Sequence, residues 1–284
     1  MTKTPSLFPG RWQILPLALA ILLLALAILL LFSRCTYHAY YQSPFHANTE
    51  TYHSLPLRSD SLRSASYISG VFTGGVANDN WRDGINSFTG SFYRAHVFNH
   101  FQAFYGADAS LGSYRVAGYS GDKPAPGLDT ALINTASGHK FFGGYGVSMG
   151  GNLVIPFGRA SELRAPGLSF TLRQEYGDYL SFRKSLPDSA ANSIFRNSLV
   201  GVLAVSMEAA FKTGNGVISY KIQLGGDVIN PRSHYAGNDS TNYNMLFASQ
   251  CLSVTVGQFT GFGQLNLGNH TASCQLGVNY RLGR

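Results

Sequence analysis

Charge is scarce in this sequence. Asp, Glu, Lys and Arg together make up 12% of 284 residues, where soluble domains carry about 25%. Proline, at 11 residues, is too sparse for a collagen-like chain or a proline-rich linker. After Ser64 no stretch holds a 3.6-residue apolar period, which argues against coiled coils and helical bundles. No Lys/Arg cluster of the kind that follows a phosphate backbone is present, so nucleic acid is not an expected partner. What is abundant is Gly (32), Tyr (16) and Phe (19). That combination speaks against disorder and against an ordinary cytosolic enzyme. The length permits one large domain or two small ones.

The net charge of +7 is partly N-terminal. Residues 1–34 hold Lys3, Arg11 and Arg34 and no acid, which leaves 18 basic against 14 acidic groups in the rest. Ile14 to Phe32 is a run of 19 uncharged, mostly aliphatic residues, about the length that crosses a bilayer as a helix. Lys3 and Arg11 precede it, so the positive-inside bias predicts export of everything that follows. Residues 1–34 therefore read as a signal peptide or an N-terminal membrane anchor. Cys35 ends the run in a place that resembles the lipidation site of bacterial lipoproteins. Ser33 fits that pattern, while Arg34 just before the Cys and Phe32 three places before it depart from it. Cleavage, lipidation at Cys35 and an uncleaved helical anchor all stay open.

Residues 36–60 show neither helical nor alternating period, and Ser43-Pro44 and Leu55-Pro56 favour extended chain. They predict an exposed tether, part of a segment 35–63 ahead of the folded domain 64–284. His38, His46 and His53 are spaced too widely for a zinc site and are expected to be solvated. No metal and no cofactor are expected.

From Ser64 onward period-two alternation dominates. In the last segment Ala272, Cys274, Leu276, Val278, Tyr280 and Leu282 share one face, opposite Ser273, Gln275, Asn279 and Arg281. Residues 217–228 and 168–176 repeat the pattern, and further strands fit at 64–75, 86–97, 100–111, 144–157, 198–212, 245–256 and 259–267. Tight-turn signals at Asn99-His100, Gly158-Arg159, Gly214-Asn215-Gly216 and Gly257-Gln258 alternate with longer polar connections at 76–85, 118–140, 184–196 and 231–243, until the last connection, at Gly268-Asn269, which is also short. The fold predicted is all-β, an antiparallel up-and-down transmembrane barrel of about ten strands (eight to twelve), since an even count suits a single-chain membrane barrel.

Eight mid-strand charges, Asp108, Arg173, Glu175, Glu208, Lys212, Lys221, Asp227 and Arg281, fall opposite the apolar row. A ring of about ten strands encloses more space than apolar side chains alone fill. The polar face is therefore assigned to the inside, where four acids and four bases form a self-neutralising network. Phe141, Phe142, Phe157, Tyr176, Tyr179, Phe182 and Phe211 gather near strand ends, as in interfacial girdles.

On this pattern residues 35–284 resemble bacterial outer-membrane β-barrel proteins with a lipoprotein-like N-terminus. The resemblance implies a place in the cell outer membrane, with outer-membrane lipids as partners, and it transfers no activity. The function expected is non-enzymatic: structural, or binding an envelope protein or small molecule through the loops at 118–140 and 231–243. One alternative is an outer-membrane hydrolase using loop groups among His139, His234, Asp239, Asp79 and Asp83, because a His–Asp pair supplies a base and its orienting acid. Another is a periplasmic barrel held to the inner membrane by residues 14–32. Gly146-Val147-Ser148-Met149-Gly150 matches the serine-hydrolase string, but it lies mid-strand rather than on the strand-to-helix elbow that chemistry needs. Cys251 and Cys274 fall on opposite faces of strands separated by a third, so no bridge is expected.

Overall fold

A computed structural model describes residues 39–48, 50–59, 62–78, 81–119, 129–157, 161–187, 190–191, 193–229, 234–235 and 245–283. The apolar run 14–32, Cys35, His38, Asp79 and Asp239 lie outside these residues. In chain order the first elements are β1 (Tyr40–Tyr41), β2 (Ser64–Ala77), β3 (Asp83–Val97), β4 (Phe101–Val116), α1 (Thr130–Thr135), β5 (Gly138–Phe157) and β6 (Ser161–Tyr176). They are followed by α2 (Asp178–Ser185), β7 (Ser193–Ile194), β8 (Leu199–Thr213), β9 (Gly216–Asp227), β10 (His234–Tyr235), β11 (Leu246–Val256), β12 (Phe259–Gly268) and β13 (Thr271–Leu282).

Ten of these strands close into one barrel in the order β11-β12-β13-β2-β3-β4-β5-β6-β8-β9. Every neighbouring pair is antiparallel, including β13 with β2, which register from Thr271↔Ala77 to Leu282↔Ser66 and seal the ring. Closure leaves no edge strand with unpaired backbone groups. The alternation fixes which side of each strand faces in: on β9 Ser219, Gln223 and Asp227 are buried, while Ile218, Ile222 and Leu224 are exposed. A one-residue slip would exchange the two sets, so the register is tightly held.

The regularity breaks once with consequence. Between Arg164 and Gly167 the pairing of β6 with β8 shifts register, and the same stretch is offset against β5 between Asn152 and Val154. The bulge changes the inward parity along β6. Glu162 and Arg164 face in ahead of it, and Ser169, Thr171, Arg173 and Glu175 face in after it.

The two rims differ. Short turns join β3 to β4, β5 to β6, β8 to β9 and β11 to β12 at one end. At the other end lie the long connections 117–137, 177–198 and 228–245, together with 78–82 and the tight turn 269–270. Helix α1 and helix α2 both belong to the long-loop end. There β7 pairs in parallel with β1 and antiparallel with β10, a small sheet separate from the barrel wall.

The expected exposed tether is inside the barrel. Of the described residues 39–57 all but the half-buried Gln42 are buried, among them His46 and His53, which are therefore not solvated. The reason is compositional: Tyr40, Tyr41, Phe45, Tyr52, Leu55 and Leu57 carry apolar area that the lumen removes from water. After a turn closed by His46 N–H to Ser43 O and Asn48 N–H to Phe45 O, residues 50–57 run without regular structure. Eight residues at about 3.3 Å each cover about 26 Å, near the roughly 25 Å height of a barrel's apolar band.

Candidate functional site

The lumen is built from polar side chains of the wall closing on this internal segment. Its backbone has no sheet partner over residues 50–57, so its carbonyls and N–H groups must find side chains. Gln264 donates to the Glu50 carbonyl (2.8 Å), Gln275 to that of Asn48 (3.2 Å), Gln102 to that of Pro56 (2.9 Å) and Arg164 to that of Leu55 (3.2 Å). The Ser54 N–H donates to the Tyr93 hydroxyl (2.8 Å), and the Arg58 N–H to Glu162 (2.8 Å). Side chains of the segment are held equally well. The Glu50 carboxylate accepts from Ser169 (3.0 Å), Thr171 (2.6 Å) and Gln223 (3.2 Å). Tyr52 donates to Glu208 (2.8 Å) and Ser43 to Glu175 (2.6 Å). These partners come from β3, β4, β6, β8, β9, β12 and β13, so the segment is gripped from around the ring.

Ion pairs complete the interior. Arg164, 1% exposed, bridges Glu162 at 2.8 Å and Glu208 at 3.1 Å. Arg173 pairs with Asp108 and Arg183 of α2 with Glu175, and the His46 ring lies against the Asp227 carboxylate. Of the eight charges placed inside from the sequence, Asp108, Arg173, Glu175, Glu208 and Asp227 sit in these pairs. Lys221 is half-buried opposite Glu208 in the ladder, and Arg281 lines a residual cavity. Lys212 departs from the expectation: it keeps the inward parity, but one residue from the end of β8 it is exposed. Three of the four acids, Glu208, Glu175 and Asp227, meet Arg164, Arg183 and His46, none of which the sequence brought forward as a partner. Arg164 hides behind the bulge, Arg183 on a helix and His46 in the supposed tether. The aromatic content of residues 40–57 was the signal available for that segment.

Apolar clusters sit above and below this polar belt. At the long-loop end Tyr41, Phe45, Tyr114, Phe142, Tyr179 and Phe182 form one core, with Tyr114 stacked on Tyr179 at 3.8 Å. Burial pushes the Tyr179 phenol well up from its ordinary value. Phe142, Tyr179 and Phe182 are thus core residues and not part of a girdle. Near the short-turn end Leu55 packs with Tyr67, Tyr93 and Phe104. A cavity of about 30 Å³ remains beside Tyr52, Leu55, Tyr67, Arg164 and Arg281, enough to hold water.

The outside is the reverse. Ile68, Phe72, Phe88, Phe92, Leu168 and Leu276 are each at least half exposed, and Leu224 reaches 62%. Phe141, Tyr145 and Tyr176 cluster on the outer face of β5 and β6 toward the long-loop end, and Phe157 meets Phe211 at 5.5 Å near the short turns. A closed ring with an apolar waist, aromatic borders and buried charge belongs in lipid. This is an outer-membrane β-barrel.

No protein-family model matches the sequence, and no curated protein is significantly similar to it. Among solved structures the barrel is similar to the translocator domain of the autotransporter NalP from Neisseria meningitidis (TM-score 0.36, 14% identity, 78% of this chain and 90% of that one). It is also similar to the transport unit of the autotransporter AIDA-I from Escherichia coli (TM-score 0.38, 10% identity, 83% and 95% covered). The toluene transporter TbuX from Ralstonia pickettii is a third (TM-score 0.30, 7% identity, 79% and 90% covered).

The hydrolase candidates are dispersed. Asp83 is buried in β3, where Asn78 (3.0 Å), Tyr114 (2.8 Å) and the Ala117 N–H (2.7 Å) all donate to its carboxylate. His139 lies exposed on β5 against Ser113 at 3.1 Å. His234 is in β10, paired with Ile194. Ser148 is buried mid-strand, opposite Gly106 and Thr171. Cys251 faces the lumen and Cys274 faces out, both free.

Proposed function

We infer that this protein is a closed, non-enzymatic envelope barrel whose conduit is filled by its own residues 39–57, and whose working surface is the long-loop end. The observation that carries it is the lumen: an internal segment, buried along its length, with side-chain partners around the ring. A ten-strand wall without that segment would hold a polar bore lined by Glu50's partners, Arg164 and Arg173. With it, solute has no path. The loops at the long-loop end stand on this rigid base, which is where binding groups usually sit. An envelope protein or a small molecule met there is the partner class this reading supports.

Conductance tests it. In planar bilayers the full chain should give no large steady current, while a chain lacking residues 39–57 should give stable openings. Glu50→Ala with Tyr52→Ala, in a chain of full length, should give brief openings and covers the case in which the deletion does not assemble. Porin-sized current through the full chain would overturn the reading.

A further inference from the structure

The short-turn end of the lumen holds a pocket that the internal segment does not fill. It is the cavity of about 30 Å³ whose floor is Tyr52, Leu55 and Arg164 and whose rim side is Gly257 and Gln258, in the turn joining β11 to β12. Ser219 of β9, Thr255 of β11, Thr260 of β12 and Arg281 of β13 form its walls. This corner is stitched in place. Gln258 accepts the Arg281 N–H on its main-chain carbonyl (2.8 Å) and the Tyr280 hydroxyl on its side-chain oxygen (3.1 Å). Its side-chain amide donates to the Gly283 carbonyl (2.9 Å), so β13 is fixed to the turn on either side of Arg281.

The groups around this space are donors in excess. Among the described residues no hydrogen bond and no ion pair holds the Arg281 side chain, and its Nε is buried without a partner. The buried Ser219 hydroxyl has no hydrogen-bond partner among them either. Thr260 Oγ1 lies 3.0 Å from the Ser54 hydroxyl and 2.8 Å from that of Thr255. Each hydroxyl carries one hydrogen, so a chain of three spends two on itself and leaves one to donate elsewhere. Charge is unbalanced in the same direction. Arg164 and Lys221 stand against Glu162 and Glu208, two of each sign. Arg58 turns to the Asn99 carbonyl at the rim (3.3 Å). Among the described residues no acid lines the cavity, and Arg281 is left over.

We propose that this pocket binds one small tetrahedral oxyanion, a phosphate or sulfate group, on the Arg281 guanidinium, with Ser219 and the Thr255–Thr260 pair as further donors. A guanidinium meets the oxygens of such a group through paired N–H donors. The volume is far below the roughly 300–1,000 Å³ of an organic-ligand pocket, which limits the occupant to a single small group. With the floor closed, that group enters and leaves at the short-turn end, as the free ion or as the tip of a larger molecule reaching in from the rim.

The test is a titration of the purified full-length chain in detergent with inorganic phosphate, at an ionic strength held constant with chloride. Binding should saturate at one site and sulfate should compete. Arg281→Gln should weaken it by about tenfold or more, Arg281→Lys should recover part of the loss, and Ser219→Ala should weaken it to a smaller extent. Arg94→Gln, which removes an exposed guanidinium beside Ser64, should leave it unchanged. Heat-modifiable migration shows whether each variant is a folded barrel. If Arg281→Gln is not, Ser219→Ala combined with Thr255→Val carries the test. Glycerol phosphate bound as tightly as phosphate assigns the tip of a larger molecule, and phosphate bound alone assigns the free ion. No saturable binding by the parent chain, or equal binding by a folded Arg281→Gln, overturns the proposal.

Discussion

Glu50 is the acid on which the inner segment turns. Its carboxylate takes three hydrogen bonds from Ser169, Thr171 and Gln223, three groups that have little water to turn to. An unpaired buried donor costs about 1–3 kcal/mol. Glu50→Ala should therefore loosen residues 50–57, seen as faster amide exchange there, while strand amides outside the contact stay protected. Gly144 works by absence. A Cβ at that position would meet the Phe45 ring at 2.7 Å, and that ring is already fixed against Phe142 at 5.4 Å and the Arg173 guanidinium at 4.7 Å. Gly144→Ala should destabilise by about 1–3 kcal/mol through overpacking, and Phe45→Leu in the same chain should recover part of it. Denaturation in detergent, with each single and the double variant, reads both. Neither role was legible in the sequence. Glu50 stood in a stretch without periodicity, and Gly144 looked like any other glycine of a glycine-rich strand.

At the level of strands the sequence was far more informative, because period two is a local property that a lipid-facing wall must obey at every step. The ten segments expected from alternation correspond to the ten wall strands, with ends extended by up to seven residues where Gly or polar positions blur the pattern. The exception is instructive. Carried back through β6 at constant parity, Glu162 and Arg164 would point into lipid. The extra residue beside Pro166 turns them inward, and no alternation rule anticipates a bulge. A strand-level prediction follows from the wall itself. Leu224, 62% exposed, faces lipid, and Gln223 faces Glu50. Leu224→Arg should cost about 2–4 kcal/mol at mid-depth, whereas Gln223→Arg places its charge against a carboxylate. The folded fraction in lipid vesicles, by heat-modifiable migration, should fall further for Leu224→Arg.

For the molecule as a whole, the alternation put a self-neutralising set of charges inside the ring, while residues 36–60 were expected outside it as a tether. The main occupant of the lumen is a stretch of that supposed tether. That difference is physical: extended segments bury themselves through contacts with residues far away in sequence, and such contacts leave no period to read. The arrangement also imposes an order of events. The ring seals where β13 meets β2 along twelve residue pairs, and once it is sealed the upstream chain passes through it as thread through a needle's eye. Tyr40, Tyr41 and Phe45 are wide compared with the space that remains, so threading a finished ring is the slow route. Laying the strand of chain down first and zipping the wall around it is the fast one. Refolding should therefore remember sequence in time. A peptide of residues 39–57 added while the wall 64–284 assembles should silence its current in bilayers, and the same peptide added afterwards should silence it far more slowly.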